Sequence, residues 1–134
     1  MIIVIDASAG IEIALDRSKS FLFNQKLLLA RKVISSDLYK IEVANVIWKY
    51  VKANLLEKEK ANKTLELAQN LVDEFIDISE NNEEAMNESI RIGHSTYDLL
   101  YFTLARRYSS SLMTLDIKLK EISEKAGIEV ISGC

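Results

Sequence analysis

The sequence predicts an α/β fold, a parallel sheet of about five strands with helices on both of its faces. Three observations carry this. Short apolar runs recur at residues 1–5, 33–34, 76–78, 112–114 and 128–131. Helix-length segments separate them, and parallel neighbours need such crossover connections. The first run, Met1-Ile-Ile-Val-Ile5, is apolar without alternation, the habit of a strand covered on both sides.

Each element has its own reason. The opening strand stops at Asp6-Ala-Ser-Ala-Gly10, where small polar residues can cap a helix over residues 10–17. A second helix is expected over 20–31. Val33-Ile34 follows as a brief strand, and Ser35-Ser36-Asp37 is a cluster of N-cap residues. From Leu38 onward, Leu38, Ile41, Ala44, Trp48, Val51 and Leu55 recur at three- and four-residue spacing, which predicts one inward stripe. A further helix is expected over 57–75 with Ala61, Leu65, Ala68 and Val72 inward, then a short strand at Ile76-Asp77-Ile78. Helices over 83–92 and 97–107, a strand at 112–114, a helix over 116–125 and a strand at 128–131 complete the reading. Gly127 stands where a helix C-terminus favours a left-handed residue.

Composition sets the class. The chain has 134 residues, 49% hydrophobic and 28% charged, which excludes intrinsic disorder and suits one domain over residues 1–134. The single cysteine, Cys134, excludes an internal disulfide framework and a cysteine-cluster metal site, and reads as an inert thiol. No apolar run approaches the length of a membrane span, and no secretory leader pattern opens the chain, so a cytoplasmic protein is expected. Charge is unevenly spread. Residues 1–63 carry eleven Lys/Arg against seven Asp/Glu, whereas residues 64–134 carry six against thirteen. A globally basic nucleic-acid binder is therefore not indicated, and the acidic stretch reads as a solvated helix face.

Four acids attract attention by their company. Asp6 and Asp116 each follow a predicted strand, where ligands of open α/β sheets bind. Each would also serve simply as a helix N-cap. Glu42 lies mid-helix beside apolar residues with no cation three or four positions away. Asp98 sits in the apolar segment Thr96-Tyr-Asp-Leu-Leu-Tyr-Phe-Thr-Leu-Ala105, where only His94 offers a cationic neighbour. A carboxylate near an apolar core is costly unless it is hydrogen-bonded, paired or metal-bound. Convergence on one hard cation would suit Mg²⁺ or Mn²⁺, since zinc's usual ligands are scarce with one His and one Cys. His94 reads as a surface or capping residue. Trp48, Tyr50 and Tyr101 read as core or dimer interface in preference to base-stacking platforms.

At these residues the sequence resembles the PIN-domain family. Val4-Ile-Asp6-Ala-Ser8 resembles its opening strand with Asp-x-Ser/Thr. Ile41-Glu42-Val-Ala-Asn45 resembles its helical Glu one turn before Asn. Tyr97-Asp98-Leu-Leu-Tyr101 resembles its Tyr-Asp-x-x-Tyr helix, and Thr114-Leu-Asp116 its Thr-x-Asp signature. In length and phrasing the chain is similar to the VapC-type toxin ribonucleases of toxin–antitoxin pairs. The resemblance implies strand order 3-2-1-4-5, Asp6, Glu42, Asp98 and Asp116 as catalytic and metal-binding residues, and a Mg²⁺ or Mn²⁺ cofactor. It also implies Ser8, Asn45 and Thr114 in support, an RNA substrate, a homodimer and a small VapB-type antitoxin. The acidic net charge of −3 then requires phosphate contacts from local bases such as Lys40, Lys49, Lys52, Arg106 or Lys118. A non-catalytic PIN-like interaction module and a housekeeping RNA-processing nuclease are the alternatives. A receiver or an Asp-x-Asp phosphatase is disfavoured because Ser8 stands where a second acid would be needed.

Overall fold

The computed structural model describes residues 1–133, and Cys134, read above as an inert thiol, lies outside them. In chain order the elements are β1 (Ile2–Ile5), α1 (Ala7–Ala14), α2 (Ser20–Leu29), β2 (Lys32–Ser36), α3 (Leu38–Lys52), α4 (Ala61–Asn70), β3 (Glu74–Ile76), α5 (Asn82–Ile92), α6 (Thr96–Arg107), β4 (Ser111–Met113), α7 (Ile117–Lys125) and β5 (Val130–Ile131). All five strands are parallel, in the order β3-β2-β1-β4-β5. The predicted class and strand order are those observed.

β1 is the centre of the sheet. Ile3, Val4 and Ile5 are fully buried, and since successive side chains point to opposite faces, both faces are covered. α6 packs on β1, β2 and β4 with α5 and α7 beside it, while α1, α3 and α4 pack on one another. The chain runs outward from β1 to β2 and β3, then returns to the other side of β1 for β4 and β5. The reversal therefore falls between β1 and β4, where Ile5 and Met113 are register partners. The residues leaving those two strands emerge side by side at the carboxyl edge, the usual ligand position in such sheets.

Three expectations are corrected. The helix expected over 57–75 is shorter. A 3-10 turn at Lys58–Lys60 leads into α4, which ends at Asn70. It ends there because the chain is captured by β2: Asp73 N donates to Val33 O at 2.8 Å and Asp73 Oδ2 accepts from Val33 N at 2.8 Å. The third strand is accordingly Glu74–Ile76, not 76–78. Asp77 instead caps a 3-10 turn by accepting from Ser79 N. The inward stripe of α3 is also rotated from the expected one. Leu38, Tyr39, Val43 and Ile47 are buried, whereas Ile41 and Trp48 are 65% and 56% exposed, and Leu55 lies beyond the end of the helix, 72% exposed.

Gly10 allows α1 and α3 to meet. A Cβ at this position would lie 2.2 Å from the Tyr39 hydroxyl oxygen, which itself donates to Ala68 O of α4 at 2.6 Å. Only a residue without a side chain lets that tyrosine cross beneath α1. Among the described residues no helix is long and apolar enough to cross a membrane.

Candidate active site

Asp6 leaves β1 and becomes the N-cap of α1, with Oδ1 accepting from Ala9 N at 3.0 Å. Ser8 Oγ donates to the same oxygen at 2.7 Å, and Thr114 Oγ1 donates to Oδ2. The two hydroxyls also hold the neighbouring segment. Ser8 Oγ accepts from Leu115 N at 2.9 Å, and Thr114 Oγ1 accepts from Asp116 N at 3.0 Å. The β1–α1 and β4–α7 turns are thus stitched together through a single carboxylate. Asp116 stands at the edge of this stitch and caps α7, its Oδ1 accepting from Leu119 N at 2.8 Å. The cap role and the position after a strand are both real for Asp6 and for Asp116.

Three donors would ordinarily hold a carboxyl below its usual range. Asp6 nevertheless rises from 3.8 to about 6, because burial outweighs them and the nearby Glu42 carboxylate adds repulsion. Glu42 projects from the first half of α3 and is partly buried. Its Oε1 accepts from Tyr101 Oη at 2.6 Å, a donor from α6. Burial, with repulsion from Asp98, still raises the Glu42 carboxyl above its ordinary value. Asp98, in the first turn of α6, is hydrogen-bonded to His94 Nε2 at 2.8 Å. Burial and the facing carboxylates push the Tyr101 hydroxyl well above its ordinary value, so it remains a donor.

The structure therefore joins the predicted acids in sequence: Asp6 feels Glu42, and Glu42 feels Asp98. Asp116 joins through the Thr114 hydroxyl and its own backbone, not by direct carboxylate contact. Asn45 lies one turn beyond Glu42 on α3, exposed, in a shallow cavity that Glu42 also lines. Two roles escaped the sequence reading. Tyr101, expected to be core or interface, is buried but turns its hydroxyl on Glu42; its position three residues after Asp98, on the same helical face, was the available signal. His94, expected at the surface or in a cap, is the hydrogen-bond partner of Asp98. Among the proposed phosphate contacts, Arg106 is engaged by Glu84 and Glu88 at 2.7 and 3.0 Å, and Lys40 by Asp37 at 3.2 Å. Lys49, Lys52 and Lys118 are exposed and, among the described residues, form no ion pair.

Among the described residues none of the four acids has a Lys or Arg partner, and no three acidic, His or Cys side chains are drawn close enough to clasp an ion as they stand. The donor set is nonetheless oxygen-rich and without a Lys or Arg partner among the described residues, and the Asp6 and Glu42 carboxyls are raised chiefly by burial, with a neighbouring carboxylate adding to each. Those properties fit a hard divalent cation, which accepts carboxylate oxygens and retains waters between itself and the protein.

A five-stranded parallel α/β domain with Asp6 and Asp116 leaving the switch point between β1 and β4 belongs to the class that takes ligands at the carboxyl edge of its sheet. The chain belongs to the PIN-domain family, whose sequence pattern it matches over residues 3–125. It is similar to Ribonuclease VapC3 of Pyrobaculum aerophilum, with 28% identity over 126 residues, covering 90% of this chain and 94% of that protein. The crystal structure of PAE2754 from Pyrobaculum aerophilum superposes with a TM-score of 0.76 at 20% identity, covering 96% of this chain and 87% of the other. VapBC2 from Rickettsia felis, solved bound to a DNA fragment from its promoter, gives a TM-score of 0.68 at 20% identity, covering 98% of each chain. These likenesses extend the same fold across nearly the full length of the chain.

Proposed function

We propose that this protein is a metal-dependent endoribonuclease of the VapC type, the toxin of a VapBC-type toxin–antitoxin pair, using Mg²⁺ or Mn²⁺. The observation that carries the reading is that Asp6 and Glu42 are withdrawn into the protein, held by hydroxyl donors from Ser8, Thr114 and Tyr101, and that neither they nor Asp98 have a Lys or Arg partner among the described residues. Membership of the PIN-domain family and the likeness to Ribonuclease VapC3 support RNA as substrate. The likeness to VapBC2 supports a small antitoxin as partner.

In this reading Asp6, Glu42, Asp98 and Asp116 hold the metal. When bound, a divalent ion neutralises phosphoryl charge and lowers the pKa of water. Ser8 and Thr114 fix both oxygens of Asp6, so that this carboxylate is oriented before substrate arrives. Tyr101 does the same for one oxygen of Glu42. His94 holds Asp98 Oδ2, so the hydrogen bond fixes this carboxylate on the first turn of α6. Water adds to phosphorus, the bond to the 3′-oxygen breaks, and that oxygen takes up a proton, leaving a 5′-phosphate and a 3′-hydroxyl. Asn45 stands beside the acids where it can contact the strand.

The direct test is incubation of purified protein with RNA and Mg²⁺ or Mn²⁺, beside Asp6→Asn and Asp98→Asn. Cleavage by the unaltered protein and its loss in both variants is the expected result. Cleavage that persists undiminished in both would remove this site. Growth arrest on expression, relieved by co-expressing the small protein encoded beside it, separates a toxin from a housekeeping nuclease.

A further inference from the structure

β2 closes on two serines, Ser35 and Ser36, both fully withdrawn from solvent. Of the cluster Ser35-Ser36-Asp37, expected to cap α3, Ser36 does so, its Oγ accepting from Leu38 N at 3.1 Å. Asp37 makes no side-chain cap, and Ser35 Oγ instead donates to Ile5 O of β1 at 2.6 Å. A buried hydroxyl must spend its proton on an acceptor, or its desolvation goes uncompensated. The acceptor here belongs to the peptide that joins β1 to Asp6. The N–H of the same peptide, Asp6 N, donates to Met113 O of β4 at 3.2 Å. The Ile5–Asp6 peptide is thus held at both poles, by a side chain from one neighbouring strand and by the backbone of the other.

We infer that Ser35 is a positioning residue of the active site, which sets where Asp6 stands relative to Glu42 by clamping the peptide that precedes Asp6. The inference rests on the reading of Asp6 as a metal-binding carboxylate, and adds to it a residue that touches neither metal nor substrate. Because a peptide is planar, holding both its carbonyl and its N–H leaves Asp6 little freedom to tilt. Ser8 and Thr114 fix the oxygens of the Asp6 carboxylate, whereas Ser35 and Met113 fix the backbone from which that carboxylate hangs. Ser36, the next residue, starts the helix whose second turn carries Glu42. The end of β2 therefore ties the two acids to one reference point. Burial alone does not call for a hydroxyl here, since Val33 and Ile34 just before it on the same strand are buried and apolar. The gain from the hydroxyl is placement, and reactions are sensitive to placement: a shift of about 1 Å can cost about a hundredfold in rate.

Three variants separate placement from general stability. Ser35→Ala removes the donor, and Ser35→Cys keeps nearly the same size with a much poorer donor. Val33→Ala, at the other end of the same strand, opens a small cavity in the core away from the site. In the metal-free protein, hydrogen exchange at the amides of Asp6 and Ala9, the second of which donates to Asp6 Oδ1, should be at least about tenfold faster in Ser35→Ala and Ser35→Cys than in Val33→Ala. By calorimetry the Kd for Mn²⁺ should rise about tenfold in both Ser35 variants and stay unchanged in Val33→Ala. In RNA cleavage kcat should fall about tenfold in the Ser35 variants with KM little altered, because the reacting centre is displaced while the contacts to the strand remain. Exchange at Asp6 and Ala9 no faster than in Val33→Ala overturns the proposal, and so does a kcat equal to that of Val33→Ala. If the unaltered protein neither binds Mn²⁺ nor cleaves RNA, the ribonuclease reading falls, and the exchange measurement by itself decides whether Ser35 holds Asp6.

Discussion

The Tyr101 hydroxyl donates to Glu42 Oε1 at 2.6 Å, tying α6 to α3 across 59 positions of sequence. Burial keeps the phenol protonated, so the contact is a hydrogen bond to a carboxylate held at the edge of the core. Such a bond contributes about 1.5–3 kcal/mol. Tyr101→Phe keeps the ring and removes only this donor. Its kcat/KM should fall on the order of tenfold or more, with the far-ultraviolet dichroism of the folded protein retained. Activity equal to that of the unaltered protein would show that Glu42 needs no such orientation.

Asp6 gives the metal-free protein a stability that depends on pH in a particular sense. In the folded state its carboxyl titrates near about 6, against an ordinary value of 3.8. Between those values the folded chain holds a proton that the unfolded chain has released, so stability from this group declines as pH rises through the window. The whole change is about 3 kcal/mol. Asp6→Asn does not titrate. In urea melts with chelator, the stability of the variant relative to the unaltered protein should climb by up to that amount from about pH 4 to about pH 7. A difference that stays flat across the range would mean that Asp6 is ionised in the fold at no cost.

Divalent cations should reverse that penalty. Mn²⁺ or Mg²⁺ should raise the melting temperature of the unaltered protein, because an ion that binds only the folded state stabilises it by mass action. Asp6→Asn and Asp98→Asn should show little or no rise. A melting temperature indifferent to millimolar Mn²⁺ would favour a non-catalytic interaction module.

Thr114 is fully buried and bonded on both sides, donating to Asp6 and accepting from Asp116 N. Thr114→Val conserves shape but strands both partners, at a cost of about 1–3 kcal/mol of stability. Thr114→Ser should recover most of the loss. Loss of stability in Ser with full stability in Val would assign the role of Thr114 to its methyl group.

At Gly10 the prediction concerns packing. Gly10→Ala would press a methyl group onto the Tyr39 hydroxyl and should destabilise by about 1–3 kcal/mol, despite the better helix propensity of alanine. Tyr39→Phe removes the obstructing oxygen but leaves Ala68 O without its donor. The double variant should therefore be less destabilised than the sum of the two single ones, a coupling read directly from a thermodynamic cycle.

The strands and the strand-end acids were legible because the signals were local. Ile2–Ile5 is an unbroken apolar run and Asp6 ends it abruptly. Glu42 and Asp98 could be singled out because each lacks a cation at helical spacing on its own helix. The orientation of α3 was not legible. The files through Ile41 and Trp48 and through Tyr39, Val43 and Ile47 are both apolar, and periodicity cannot say which of two adjacent apolar files meets the sheet. The end of α4 escaped for a different reason. It is decided by Asp73 binding the backbone of Val33, forty positions earlier in the chain, a contact without any local mark. Tyr101 was visible as an aromatic on a helix, but the use of its hydroxyl depends on where α3 lies.

The stitch between the two turns also bears on how the protein is made. Thr114, which grips Asp6, is added to the growing chain 108 positions after it. β1 likewise waits for β4 before its second edge is covered. Until β4 is made the nascent chain therefore carries Asp6 and Glu42 without the frame that orients Asp6, so the site is assembled only when the last quarter of the domain joins the sheet.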